Sequence, residues 1–92
     1  MIKSFAHKGL KGFFESGSTK GIQAKHEDRL RLILSVLDSA AEINDINFYG
    51  SNLHQLKGKL KNTWSLKVNG NWRITFKFED GDAYIINYQD YH

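Results

Sequence analysis

The sequence predicts an α+β fold: an N-terminal strand and two helices packed on one face of a small, mainly antiparallel sheet that ends in a three-stranded meander. Three observations predict it. From Trp64 to His92, runs rich in aromatic and β-branched residues are separated by Asn69-Gly70 and Asp80-Gly81, both strong hairpin signals. Between Gln23 and Ala41, the residues Leu30, Ile33, Leu34, Leu37 and Ala41 recur at the spacing of one buried helical face. Ahead of it, Leu10, Phe13 and Phe14 make a second, shorter stripe at spacings of three and four. Ninety-two residues are expected to form one domain spanning 1–92, with a small core and a modest stability margin.

Taken in order, Met1 to Phe5 is a short strand with Ile2 and Phe5 inward, and Lys8 to Glu15 is a helix. Gly17 ends that helix, where a residue with positive φ is wanted. Residues 16–21 form a polar loop. The long helix runs from Gln23 to Ala41; Glu27 and Arg31 are four apart in the favourable order for a surface ion pair. His26 is expected to be exposed and is given no role. Residues 42–62 form a long connection with a helical turn near Ile43 to Ile46. In it Leu53 and Leu56 anchor to the core while His54, Lys57, Lys59 and Lys61 face outward. So long a connection in a small domain suggests function.

The register of the meander follows from its apolar alternation. Making the apolar faces coincide places Val68 opposite Trp72 across a three-residue turn, Asn69-Gly70-Asn71, with Asn71 near left-handed geometry. In the second hairpin a two-residue Asp80-Gly81 turn places Phe76 opposite Ile85 and Arg73 opposite Tyr88. The face away from the helices then carries Lys67, Arg73, Thr75 and Lys77, with Tyr84, Tyr88, Asp90 and His92. A slip by one residue would turn Tyr91 to that face instead of Asp90 and His92.

The formal net charge is +3 and the pI about 9.2. Its distribution is more informative. No acidic residue occurs from Ile46 to Phe78, where Lys57, Lys59, Lys61, Lys67, Arg73 and Lys77 all fall. A one-sign stretch attracts polyanions, and a nucleic-acid surface is the preferred reading over a merely solvated face. The absence of cysteine excludes disulfides and thiolate metal sites, and the four His are too scattered for a zinc pattern. No cofactor or metal is expected. The glycines do not form a phosphate loop. Neither a secretory leader nor a membrane-length apolar run is visible, so a cytoplasmic protein without membrane association is expected. Ser65, His54 and Asp90 can be written as a triad, but nothing marks Ser65 as a nucleophile.

The remaining chemistry lies in His54, Lys57, Arg73, Asp90, Tyr91 and His92. Cleavage of an RNA phosphodiester by its own 2′-hydroxyl requires a base, an acid for the leaving 5′ oxygen, and cations for the phosphate charge of the transition state. Imidazoles supply the first two, and Arg and Lys the third. Each residue also has a structural reading: His54 as a loop cap, Arg73 and Asp90 as a cross-sheet ion pair, the last three residues as a frayed tail. Trp64 and Trp72 read as core.

The opening Met1-Ile2-Lys3-Ser4-Phe5, the segment Leu53-His54-Gln55-Leu56-Lys57-Gly58, the run Asn71-Trp72-Arg73-Ile74-Thr75-Phe76 and Asp90-Tyr91-His92 together resemble the HigB group of RelE-like bacterial toxins. The resemblance spans nearly the whole chain. It implies a ribosome-dependent mRNA endonuclease that cuts in the A site, at adenine-rich codons, with contacts to 16S ribosomal RNA. It also implies a HigA-like helix-turn-helix antitoxin as partner, through which the complex meets operator DNA. By position, His54, Asp90, Tyr91 and His92 match the catalytic set. Lys57 and Arg73 match the phosphate-binding set, and Lys59, Lys61 and Lys67 extend the cationic surface. The alternatives are a non-catalytic basic RNA- or ribosome-binding regulator, and a RelE-fold toxin with another target such as gyrase.

Overall fold

A computed structural model describes residues 1–58 and 62–90. Helices α1 (Lys8–Ser16) and α2 (Glu27–Ser39) precede four strands: β1 (His54–Gln55), β2 (Thr63–Asn69), β3 (Trp72–Glu79) and β4 (Asp82–Asp90). The strands form one antiparallel sheet in the order β1-β2-β3-β4. Both helices contribute to a core on one face of it. Leu10, Phe13, Leu30, Ile33, Leu34 and Leu37 are buried with Leu66, Ile74, Phe76, Ala83, Ile86 and Tyr88. At about 25 cal/mol per Å², such apolar burial is the main term holding helices to sheet.

Local chemistry explains the helix limits. The His7 side chain accepts the Leu10 N–H through Nδ1 at 3.0 Å, capping α1. Gly17 ends it at φ 79°. Gly9 in α1 lies against Gly21 in the following loop, and a Cβ built on Gly9 would fall 2.6 Å from the Gly21 Cα. Only two glycines allow the chain to return this tightly. The long helix starts later than its periodicity suggests. Ala24–His26 is a 3-10 turn, and α2 begins at Glu27. Ala40, not Ala41, is buried past its end. The expected Glu27–Arg31 pair forms at 2.7 Å.

Met1 to Phe5 lies beside β4 through two isolated parallel bridges, Ile2 with Ala83 and Phe5 with Ile86. It covers that side of β4 without being a full strand. The connection after α2 is better ordered than expected. The turn Ile43–Ile46 forms with a reciprocal Glu42–Asp45 capping box. Arg29 then donates to the Gly50 carbonyl at 2.6 Å and stacks over Phe48, and Lys67 N–H donates to the Ser51 carbonyl at 2.9 Å. These bonds bring His54 and Gln55 alongside β2 as a fourth strand, with His54 opposite Ser65.

Two bulges correct the expected meander. In β2–β3 the body of the register is as expected, with Trp64 opposite Phe76 and Leu66 opposite Ile74, but Asn69 closes the turn against Trp72 and Val68 is left as the extra residue. Gly70, at φ 56°, takes the left-handed conformation assigned to Asn71. In β3–β4 the Asp80-Gly81 turn pairs Glu79 with Asp82 and Lys77 with Tyr84. Beyond it, two residues, Ile85 and Ile86, face the single residue Phe76. Ile85 sits at φ 54° and its N–H is taken by Ser4 Oγ at 2.9 Å.

That one inserted residue reverses every later side chain. Arg73 stands opposite Gln89, not Tyr88; Ile74 stands opposite Tyr88; and Trp72 stands opposite Asp90. Tyr88 is therefore buried under the helices, and Asp90 belongs to the helix side of the sheet, contrary to the expected arrangement. Leu56 also departs from expectation: it turns to the opposite face, beside Thr63 and Thr75.

Candidate active site

The face away from the helices is built in rows across the strands, because directly paired residues in an antiparallel sheet point the same way. One row is Lys67, Arg73 and Gln89. The next is His54, Ser65, Thr75 and Asn87. The third is Thr63, Lys77 and Tyr84. His54 and Lys57 are exposed, while Arg73 is half-buried. Strand spacing of ~4.8 Å and a rise of ~3.4 Å per residue put the His54 and Arg73 α-carbons roughly 12 Å apart. A cation and an imidazole thus address one surface from neighbouring rows.

Arg73 owes its direction to the turn below it. Its Nη1 donates to the Gly70 carbonyl at 3.2 Å and toward that of Trp72 at 3.4 Å, so the guanidinium reaches back to the β2–β3 turn. Asp90 approaches the same turn from the other side. With Lys25, His26, Asn69, Gly70, Asn71 and Trp72 it borders a shallow cavity of about 260 Å³. Arg73 and Asp90 therefore border one turn at the end of the sheet, from opposite faces. His54 is steadied by a contact between its Nδ1 and the Asn52 carbonyl at 3.2 Å. Lys59, Lys61, Tyr91 and His92 lie outside the described residues.

Beneath the turn, His26 is 1% exposed, the reverse of the surface position expected from its polar neighbours. Its Nδ1 lies 2.5 Å from the Tyr88 hydroxyl, which also accepts the Gln23 N–H at 3.3 Å. Trp72 packs on Tyr88 with ring centroids 4.5 Å apart and meets His26 edge-on at 5.5 Å. Burial holds the His26 imidazolium below its ordinary range, aided by the Lys25 charge, and pushes the Tyr88 phenol up against the opposing effect of its bond to Gln23. A neutral imidazole accepting from a protonated phenol fits both shifts, and the other ring nitrogen, Nε2, is buried with no hydrogen-bond partner among the described residues. This cluster fixes Trp72, one residue before Arg73, and Tyr88, two residues before Asp90.

Sequence reasoning missed Asn87 and Gln89, which the Ile85 bulge turns onto the open face. Gln89 Nε2 donates to Thr75 Oγ1 at 3.1 Å there. One signal was present: the doublet Ile85-Ile86 interrupts an otherwise alternating strand. His26 left no such signal, because its partner is 62 residues away.

Comparison with known proteins agrees with this architecture. The family described as "RelE-like toxin of type II toxin-antitoxin system HigB" matches residues 3–92. The chain is 53% identical to "Endoribonuclease HigB" of Proteus vulgaris over 92 residues, covering all of both chains. It is 32% identical over 94 residues to "Toxin HigB-1" of Vibrio cholerae serotype O1, covering all of this chain and 98% of the relative. The chain belongs to the HigB family of RelE-like toxins from type II toxin–antitoxin systems.

Proposed function

We propose that this toxin is a ribosome-dependent endoribonuclease that cuts translated mRNA in the A site and so stops translation. The observation that carries the reading is that His54, Lys67 and Arg73 share the one sheet face the helices leave uncovered. The full-length relative named as an endoribonuclease supports it.

The chemistry is an internal transesterification. A base removes the proton of the ribose 2′-hydroxyl, the 2′ oxygen attacks the adjacent phosphorus, and the bond to the 5′ oxygen breaks. An acid returns a proton to that oxygen, leaving a 2′,3′-cyclic phosphate and a 5′-hydroxyl. His54 and His92 carry the base and acid roles. Arg73 and Lys57 bind the phosphate and balance its transition-state charge, with Lys59, Lys61 and Lys67 guiding the strand. Asp90 orients an imidazole from the end of the sheet or takes the first proton itself, and Tyr91 holds the RNA. The partner is a HigA-like helix-turn-helix antitoxin, through which the pair binds operator DNA. The toxin acts in the cytoplasm. Among the described residues no helix is long and apolar enough to cross a membrane.

The test is cleavage of a defined mRNA on programmed ribosomes, with 5′ ends mapped. Arg73→Ala should lower the rate constant by about 10²–10³ and His54→Ala by about 10²–10⁴. His92→Gln should abolish cutting while ribosome binding persists. Undiminished cutting by all three variants would refute the assignment.

A further inference from the structure

The second row of the open face is not flat. Leu56, just past β1 and bonded to Thr63, and Ile85, from the β4 bulge, stand along it with Thr75, Lys77, Asn87 and Gln89. Together they enclose a groove of about 310 Å³. Its lining combines apolar and polar side chains: Thr75 is nearly buried, and Asn87 and Gln89 are half-buried.

The groove depends on a strained residue. Ile85 is β-branched yet holds φ 54°, a conformation such residues rarely adopt, and its side chain is 53% exposed. Strain of this kind, with an apolar side chain left in water, persists where the surroundings enforce it and marks functional sites. The enforcing contact is Ser4 Oγ on the Ile85 N–H. The polar lining is similarly arranged. Asn87 Oδ1 accepts the Tyr88 N–H at 3.0 Å, which leaves its amide donors for a ligand. Gln89 Nε2 is engaged by Thr75, which leaves its carbonyl as an acceptor.

We propose that this groove is a nucleoside subsite, holding the base and ribose of the RNA nucleotide next to the phosphate bound at Arg73. The inference rests on the endoribonuclease reading of the same face. Continuity carries it: Gln89, which lines the groove, is the direct cross-strand partner of Arg73, whose guanidinium extends from there toward the β2–β3 turn. Charge carries it as well. Arg73 and Lys67 lie beyond one end, Lys77 stands at the other, and among the described residues no acidic side chain lines the groove. A strand with phosphates at both ends and a base between them matches this pattern. Ile85 and Leu56 would cover the faces of the ring, while Asn87 and Gln89 offer a donor and an acceptor to its edge.

The test uses the isotope-labelled full chain, titrated with the four nucleoside 5′-monophosphates and, separately, with inorganic phosphate, and followed by NMR. Nucleotides should shift the Asn87 and Gln89 side-chain amides and the Ile85 and Leu56 methyls saturably, with a Kd on the order of 1 mM, and phosphate alone should not. Ile85→Asn keeps a residue tolerant of positive φ and removes one apolar lining side chain. Asn87→Asp keeps the acceptor for Tyr88 N–H and places a negative charge in the groove. Each should weaken nucleotide binding about tenfold or more, with a dispersed folded spectrum. Shifts confined to Arg73 and Lys67, binding unaffected by both folded variants, or groove shifts produced only by the antitoxin chain would overturn the subsite. None of these outcomes touches cleavage at Arg73. Loss of the endoribonuclease reading would instead appear as uncut mRNA on programmed ribosomes.

Discussion

Replacing Tyr88 with Phe removes one oxygen atom and tests whether the cluster beneath the site is a structural bond or merely a packing contact. The ring remains, so its contacts with Trp72 and His7 persist. What disappears is the donor to His26 Nδ1 and the acceptor for Gln23 N–H. Gln23 is exposed, its bond is long, and water can replace it. His26 is 1% exposed, and its Nδ1 would be left buried without a partner. Stranding a buried polar atom costs about 1–3 kcal/mol, and a mid-range value of about 2 kcal/mol is expected. In a domain of this size that lowers Tm by roughly 10 °C. Urea unfolding followed by tryptophan fluorescence measures it. In a His26→Leu background the same substitution should cost less than about 0.5 kcal/mol, because no imidazole remains to be stranded. A loss below about 0.5 kcal/mol in the otherwise native protein, or an equal loss in both backgrounds, would refute the reasoning.

Three further outcomes follow from the same structure. His26 and His7 are both held below their ordinary pKa by burial, so their contribution to stability is complete above the unfolded value of about 6.5 and is lost as pH falls from there toward the lowered folded values. Urea midpoints should decline below about pH 6.5, and His7→Asn, which keeps a helix cap, should remove part of that decline. Gly9→Ala forces a methyl against the Gly21 backbone, and should cost about 2 kcal/mol or more by calorimetry, whereas Gly12→Ala, with open space around it, should not destabilise. Ile85→Gly relieves a positive φ and should raise stability by about 1 kcal/mol in urea melts while reducing RNA cleavage, a trade expected where strain shapes a site.

How much of this was legible beforehand depends on the range of the deciding interaction. The helices, the Gly17 stop, the Ile43–Ile46 turn and the Glu27–Arg31 pair rest on contacts within a few residues, and periodicity and capping reveal such contacts. Composition exposed the cationic stretch, and the motif residues were sufficient for the family. Strand β1 was missed because His54–Gln55 is held extended by pairing with Trp64 and Ser65 of β2, beside the Lys67–Ser51 and Arg29–Gly50 bonds, all from partners distant in the chain. Burial of His26 was missed for a similar reason, its partner lying on the last strand.

The sheet shows where the division falls. From the sequence alone came the α+β class, the order of the hairpins, the register in the body of the first and near the turn of the second, and the expectation of an RNA-directed chemistry at His54, Lys57 and Arg73. Tertiary structure alone decided which way the last strand faces past Ile85. The Ile85-Ile86 doublet breaks the two-residue period without saying which way the chain continues, and the bulge that decides it is held by Ser4, 81 residues away. That single step sent Tyr88 into the core, set Asp90 at the sheet's end behind Trp72, and gave Asn87 and Gln89 to the face where Arg73 lies.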